Sequence, residues 1–125
     1  MKPTILILDD QSQYLRALER SLRSGFDVVL ATSRAEATAR LSDDLALALT
    51  DIRLDESRED DRQGLDFIRE VRGRFPHLPI VAMSALDSPD IENAALAAGA
   101  TRFLRKPIVV TDLKALLSQL LGSTK

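Results

Sequence analysis

Five polar side chains stand where apolar runs stop: Asp9 and Asp10 after "ILIL", Asp51 after "LALALT", Ser84 after "IVAM" and Lys106 after "FLR". Carboxylates brought within hydrogen-bonding distance repel one another, and a hard divalent cation with oxygen ligands is the simplest relief. Magnesium, which keeps several waters, suits such a set. A charged lysine is no ligand for that metal. Its place is opposite an anion, and a phosphoryl group would satisfy lysine, hydroxyl and metal together. Asp51, central among them, is then a candidate carboxylate nucleophile. This chemistry needs the five residues on one edge of a fold.

Apolar, β-branched runs alternate with segments of helical period. Thr4 to Leu8 reads as a strand, and Gln11 to Arg23 as a helix with Leu15, Leu18 and Leu22 on one face and "SG" as its stop. Phe26 to Ala31 is a second strand, after which Ser33 and Glu36 form a capping box for a helix through about Leu41. Leu45 to Thr50 is the third strand; Leu65, Ile68, Val71 and Phe75 mark a helix that Pro76 ends. Ile80 to Ser84 follows as a strand, then an alanine-rich helix with Ser88 as N-cap, Pro89 in its first turn and Gly99 as its stop. Arg102 to Leu104 is a short fifth strand, and Leu113, Leu116, Leu117, Leu120 and Leu121 form the stripe of a last helix starting near Thr111. Alternating strands and helices predict an α/β domain with a parallel sheet and right-handed crossovers. Ligands in such sheets collect at the carboxyl ends of the strands, where the five polar residues stand.

The chain has 125 residues, 45% hydrophobic and 29% charged, enough for one domain without disulfides. A net charge of -2 gives no electrostatic case for direct nucleic-acid binding. Cysteine is absent, and the one histidine, His77, sits in the turn-like "FPHLPI", which leaves thiolate sites and histidine-centred triads without residues. No apolar run approaches the roughly 20 residues of a membrane span. "MKPTILILDD" is too short and too soon acidic for a signal peptide, so no membrane and a cytoplasmic location are expected.

Singly, each residue has a plainer reading. Asp9 and Asp10 could cap the first helix, Asp51 could simply end a strand, Ser84 could make a turn and Lys106 could be solvated. These explanations must all fall on the same rim of the same sheet, and that coincidence favours a site.

The stretches "ILILDD", "ALTDIRL", "IVAMSA" and "FLRKP", in this order and spacing, resemble the four signature stretches of the receiver domain of bacterial two-component response regulators. The resemblance covers essentially the whole chain. It implies a single flavodoxin-like (βα)5 doubly wound domain over residues 1–125, with a parallel five-stranded sheet in the order 2-1-3-4-5. By it, Asp51 is the phosphoacceptor and Asp10 a direct Mg2+ ligand. The main-chain carbonyl of Arg53 completes the protein ligands, and Asp9 acts through water. Ser84 hydrogen-bonds the phosphoryl group, Lys106 pairs with it, and Phe103, otherwise readable as a core aromatic, is the switch residue. Pro107 matches the family's lysine-proline junction, where a cis peptide is usual. The implied donor is a sensor histidine kinase or a histidine phosphotransfer protein, and the implied output is a homodimer or partner contact through the fourth helix, fifth strand and fifth helix. Such a domain is no enzyme beyond its own phosphorylation and dephosphorylation.

The chain departs from the family between strand three and helix three. Gly64, the counterpart of a glycine usually about eight residues after the phosphoacceptor, lies thirteen residues after Asp51. Seven of the eight residues from Asp55 to Arg62 are charged, which predicts an enlarged, solvated, mobile acidic loop at about 53–63. The rival readings are a phosphorylation-independent interaction module of the same fold, a phosphohydrolase and a cofactor binder. Intact Asp10, Asp51 and Lys106 speak against the first. The second would want an acid where Arg53 stands, and the third a glycine-rich loop after the first strand.

Overall fold

The computed structural model describes residues 2–54, 61–86 and 88–122. Ten elements alternate along the chain: β1 Thr4–Leu8, α1 Ser12–Leu22, β2 Asp27–Ala31, α2 Arg34–Ala39, β3 Leu45–Asp51, α3 Gln63–Arg74, β4 Ile80–Ser84, α4 Pro89–Ala98, β5 Arg102–Arg105 and α5 Val110–Leu121. The sheet is parallel throughout, in the order β2-β1-β3-β4-β5. The fold is therefore the flavodoxin-like α/β architecture implied by the sequence.

Strand alternation divides the core in two. Ile5, Ile7, Leu47, Leu49, Val81 and Met83 face α1 and α5, where they meet Leu15, Leu18, Leu113 and Leu117. Leu6, Leu8, Ile80 and Ala82 face α2, α3 and α4, against Phe67, Ile68, Val71 and Ala95. The central strands are buried on both faces, which is why they read as unbroken apolar runs rather than as alternating ones.

Local signals set the element ends. Ser33 Oγ accepts from Glu36 N at 3.1 Å, while Glu36 Oε1 accepts from Thr32 N at 2.7 Å, one residue earlier than a strict capping box. Ser88 Oγ accepts from Asp90 N, Pro89 opens α4, and Gly99 closes it at φ 125°. At the pole of the sheet away from the five polar residues, the Arg72 guanidinium donates to the carbonyls of Gly99 (2.7 Å), Pro76 (2.9 Å) and Leu78 (2.8 Å). One side chain thus satisfies carbonyls beyond the C-terminal ends of both α3 and α4, where positive charge also suits the helix dipoles.

Most of the acidic loop, residues 55–60, lies outside the described residues. The expectation of a wholly solvated loop fails at Asp61, which is 4% exposed and hydrogen-bonded to main chain on both sides. Such donors replace water around the carboxylate, so charge alone did not keep it outside.

Candidate functional site

The carboxyl edge of the sheet gathers the polar residues. Past β1, Asp9 N donates to Ala31 O at 3.1 Å, which prolongs the strand pairing by one residue and turns a fully buried carboxylate toward the centre of the edge. β3 runs one residue further than predicted and carries Asp51, 2% exposed, as its last member. Lys106 N donates to Ser84 O at 2.9 Å, so the end of β4 holds the start of the Lys106-Pro107 junction, whose peptide bond is cis.

The result is one ammonium among three acids. Lys106 Nζ lies 2.6 Å from Asp9 Oδ2 and 3.0 Å from Asp51 Oδ2, with its side chain 11% exposed. Asp9 Oδ1 also accepts from Gln11 N at 2.9 Å, so the helix-cap and rim readings of Asp9 hold together. Asp9, Asp10 and Asp51 each offer an oxygen, and these oxygens all lie within 4.8 Å of one another. Clustered hard oxygen donors fit a hard divalent cation. Burial alone would lower the Lys106 pKa, but the hydrogen bond to Asp9 and the charges of Asp51 and Asp9 outweigh it and hold the pKa above the ordinary lysine value.

A cavity of about 60 Å³ opens beside these groups, lined by Gln11, Asp51, Arg53, Ser84, Leu86 and Lys106 among others. A water takes about 30 Å³, so the space suits a small anion or two waters. Ser84 Oγ borders it and accepts from Leu86 N at 3.0 Å. Phe103 stands apart from this cavity, half-buried against the core under α4, and the guanidinium carbon of Arg105 lies 5.9 Å from its ring centroid. The structure thus brings Asp9, Asp10, Asp51, Arg53, Ser84 and Lys106 to one edge and sets Phe103 on the neighbouring strand.

Sequence reasoning missed three contributors. Tyr14, from the first turn of α1, places its ring centroid 4.6 Å from Lys106 Nζ, a cation-π contact. Burial raises the pKa of its phenol, and the Lys106 charge opposes that rise. The signal was a lone tyrosine four residues after Asp10, on the turn that faces the rim. Gln11 supplies a main-chain donor and part of the cavity wall, which residue type does not announce. Asp61 was hidden among like charges.

Comparison with known proteins fits this geometry. A family model described as "Response regulator receiver domain" matches residues 5–118. The chain is 36% identical over 130 aligned positions to the transcriptional regulatory protein PrrA of Mycobacterium tuberculosis, covering 98% of this chain and 52% of that protein. It is 35% identical to the response regulator MprA of the same species, covering 100% of this chain and 53% of the relative. The chain therefore spans about half the length of these curated relatives. Among solved structures, a CheY-like response regulator receiver domain protein from Methanospirillum hungatei superposes with a TM-score of 0.87 at 25% identity, covering 98% of this chain and 96% of the other. A two-component response regulator from Clostridium difficile gives 0.86 at 25% identity, covering 97% of each chain.

Proposed function

The chain belongs to the response regulator receiver domain family, and from that premise we propose that it takes a phosphoryl group from a phosphohistidine onto Asp51. Response regulators pair with sensor kinases, so the donor is a sensor histidine kinase or a histidine phosphotransfer protein. A carboxylate oxygen of Asp51 attacks phosphorus in line, the bond from phosphorus to the donor imidazole nitrogen breaks, and the electron pair leaves with the imidazole. Asp10, Asp51 and the Arg53 main-chain carbonyl would hold Mg2+, with Asp9 through water. When bound, the ion neutralises charge on the phosphoryl oxygens. Lys106 supplies the second positive charge by exchanging one of its two carboxylate partners for a phosphoryl oxygen. Ser84 turns its hydroxyl from Leu86 N to the phosphoryl group, Phe103 moves into the space vacated, and the face built by α4, β5 and α5 changes for a homodimer or output partner. The chain then catalyses only its own phosphorylation and dephosphorylation, with residues 1–125 acting as one receiver domain.

The observation that carries this proposal is the Lys106 ammonium held at 2.6 and 3.0 Å between two members of a three-carboxylate cluster. That arrangement supports Asp51 as the acceptor, with an ammonium and further carboxylates beside it. No direct nucleic-acid contact is assigned to this segment, whose net charge is -2. The proposal includes a cytoplasmic location; no helix among the described residues is long and apolar enough to cross a membrane.

Intact-mass measurement after incubation with a small phosphodonor tests the proposal. The expected result is one added phosphoryl group, dependent on Mg2+ and lost in Asp51→Asn. Equal labelling of Asp51→Asn, or of the wild type without Mg2+, would overturn it, and no labelling of the wild type would leave the phosphorylation-independent interaction module in its place.

A further inference from the structure

Asp61 is a buried carboxylate that the phosphoryl chemistry does not use. It is 4% exposed, and three donors replace its water: Leu54 N at 3.2 Å, Gln63 N at 2.8 Å and Gln63 Nε2 at 3.1 Å. Leu54 precedes residues 55–60 and Gln63 opens α3, so one side chain closes the chain across that segment. A second tie lies beside it. Gly64 N donates to Ile52 O at 2.8 Å, and the approach is so close that a Cβ on Gly64 would fall 2.0 Å from Asp51 O and 2.5 Å from Ile52 Cα.

Arg53 stands between these two ties. The Leu54 N–H and the Arg53 C=O belong to one planar trans peptide unit, in which they point in opposite directions. A carboxylate that grips the N–H therefore fixes the carbonyl, which is directed away from Asp61. Arg53 lines the cavity together with Asp51, Ser84 and Lys106. We infer that Asp61 is a positioning residue for the metal site, aiming the Arg53 carbonyl as a ligand. This rests on the function proposed above.

The test is a Mg2+ titration of the amide NMR spectrum, run on wild type, Asp61→Ala and Asp61→Asn. Amide hydrogen exchange at Leu54 is measured on the same metal-free samples. Loss of a group that orients a metal ligand weakens affinity about 10- to 100-fold, and Asp61→Ala is expected in that range. Asp61→Asn keeps an acceptor on one side only and should weaken Mg2+ severalfold. Both should speed exchange at Leu54. A merely structural Asp61 would lower the melting temperature and leave Mg2+ affinity unmoved. Wild-type affinity in a folded Asp61→Ala overturns this inference alone, as does wild-type affinity in an Asp61→Asn whose Leu54 amide exchanges faster. Absence of Mg2+ binding in the wild type overturns the proposed function and this inference with it.

Discussion

Asp10→Asn turns the crowding of the acidic rim into a stability measurement. Without metal, three carboxylates crowd together with ligand oxygens within 4.8 Å of one another, beside the Lys106 ammonium. At 4.8 Å and an effective dielectric of about 20, two like charges repel by about 3.5 kcal/mol. Asp10 has two such neighbours, but it is only half-buried, so solvent and salt discount the sum heavily. We expect metal-free Asp10→Asn to be more stable than wild type by about 1–2 kcal/mol, or roughly 3–8 °C in melting temperature for a chain of this size. Magnesium should reverse the order. At 100 times its Kd a ligand adds about 2.7 kcal/mol, which wild type gains and Asp10→Asn, short of a ligand, does not. The assay is thermal unfolding followed by circular dichroism near neutral pH, with and without Mg2+, at low and high salt. The metal-free advantage should shrink as salt rises. A metal-free Asp10→Asn less stable than wild type, or equal stabilisation of both proteins by Mg2+, would refute the electrostatic reasoning.

The Lys106 pKa is raised above its ordinary 10.5, so the stability its ion pairs contribute is fully present below that value and is lost as pH rises through the higher folded pKa. The stability difference between wild type and Lys106→Met, from urea unfolding, should stay flat from about pH 7 to about pH 10 and shrink only above; shrinkage near pH 8 would contradict the pairing. Arg72→Ala should cost about 3 kcal/mol in urea unfolding, because hydrogen bonds from a charged donor are worth about 1.5–3 kcal/mol each and several carbonyls lose theirs. Arg72→Lys should recover less than half, since an ammonium cannot span the same fork. Gly64→Ala sets a methyl 2.0 Å from Asp51 O and should cost about 3 kcal/mol or more; wild-type stability in chemical denaturation would show that the backbone yields freely there.

What was legible in the sequence is what neighbours along the chain decide. The runs before Asp9, Asp51, Ser84 and Lys106 must be strands because they are short, apolar and bounded by helical periods, and a parallel sheet then delivers their ends to one edge. Tyr14, Asp61 and Arg72 were not legible for the opposite reason. Each takes its role from a partner brought close only by folding: Tyr14 from Lys106, Arg72 from Gly99, and Asp61 from Leu54 across residues 55–60. Asp61 also shows the limit of reading charge as exposure. Five acids from Asp55 to Arg62 look alike in sequence, and nothing in residue type marks Asp61 as the one that main-chain donors of Leu54 and Gln63 hold.

The seat of Tyr14 on Lys106 makes the protein an optical instrument. The chain has one tyrosine and no tryptophan, so its near-ultraviolet emission comes essentially from this single ring, 4.6 Å from the ammonium of the site. A ring's interaction with a cation changes when the cation moves. Displacement of Lys106 by an arriving anion, or by a metal competing for its carboxylate partners, must register in that one signal. Binding and transfer at this edge are thus open to stopped-flow fluorescence of the unlabelled chain, with Tyr14→Phe as the dark reference.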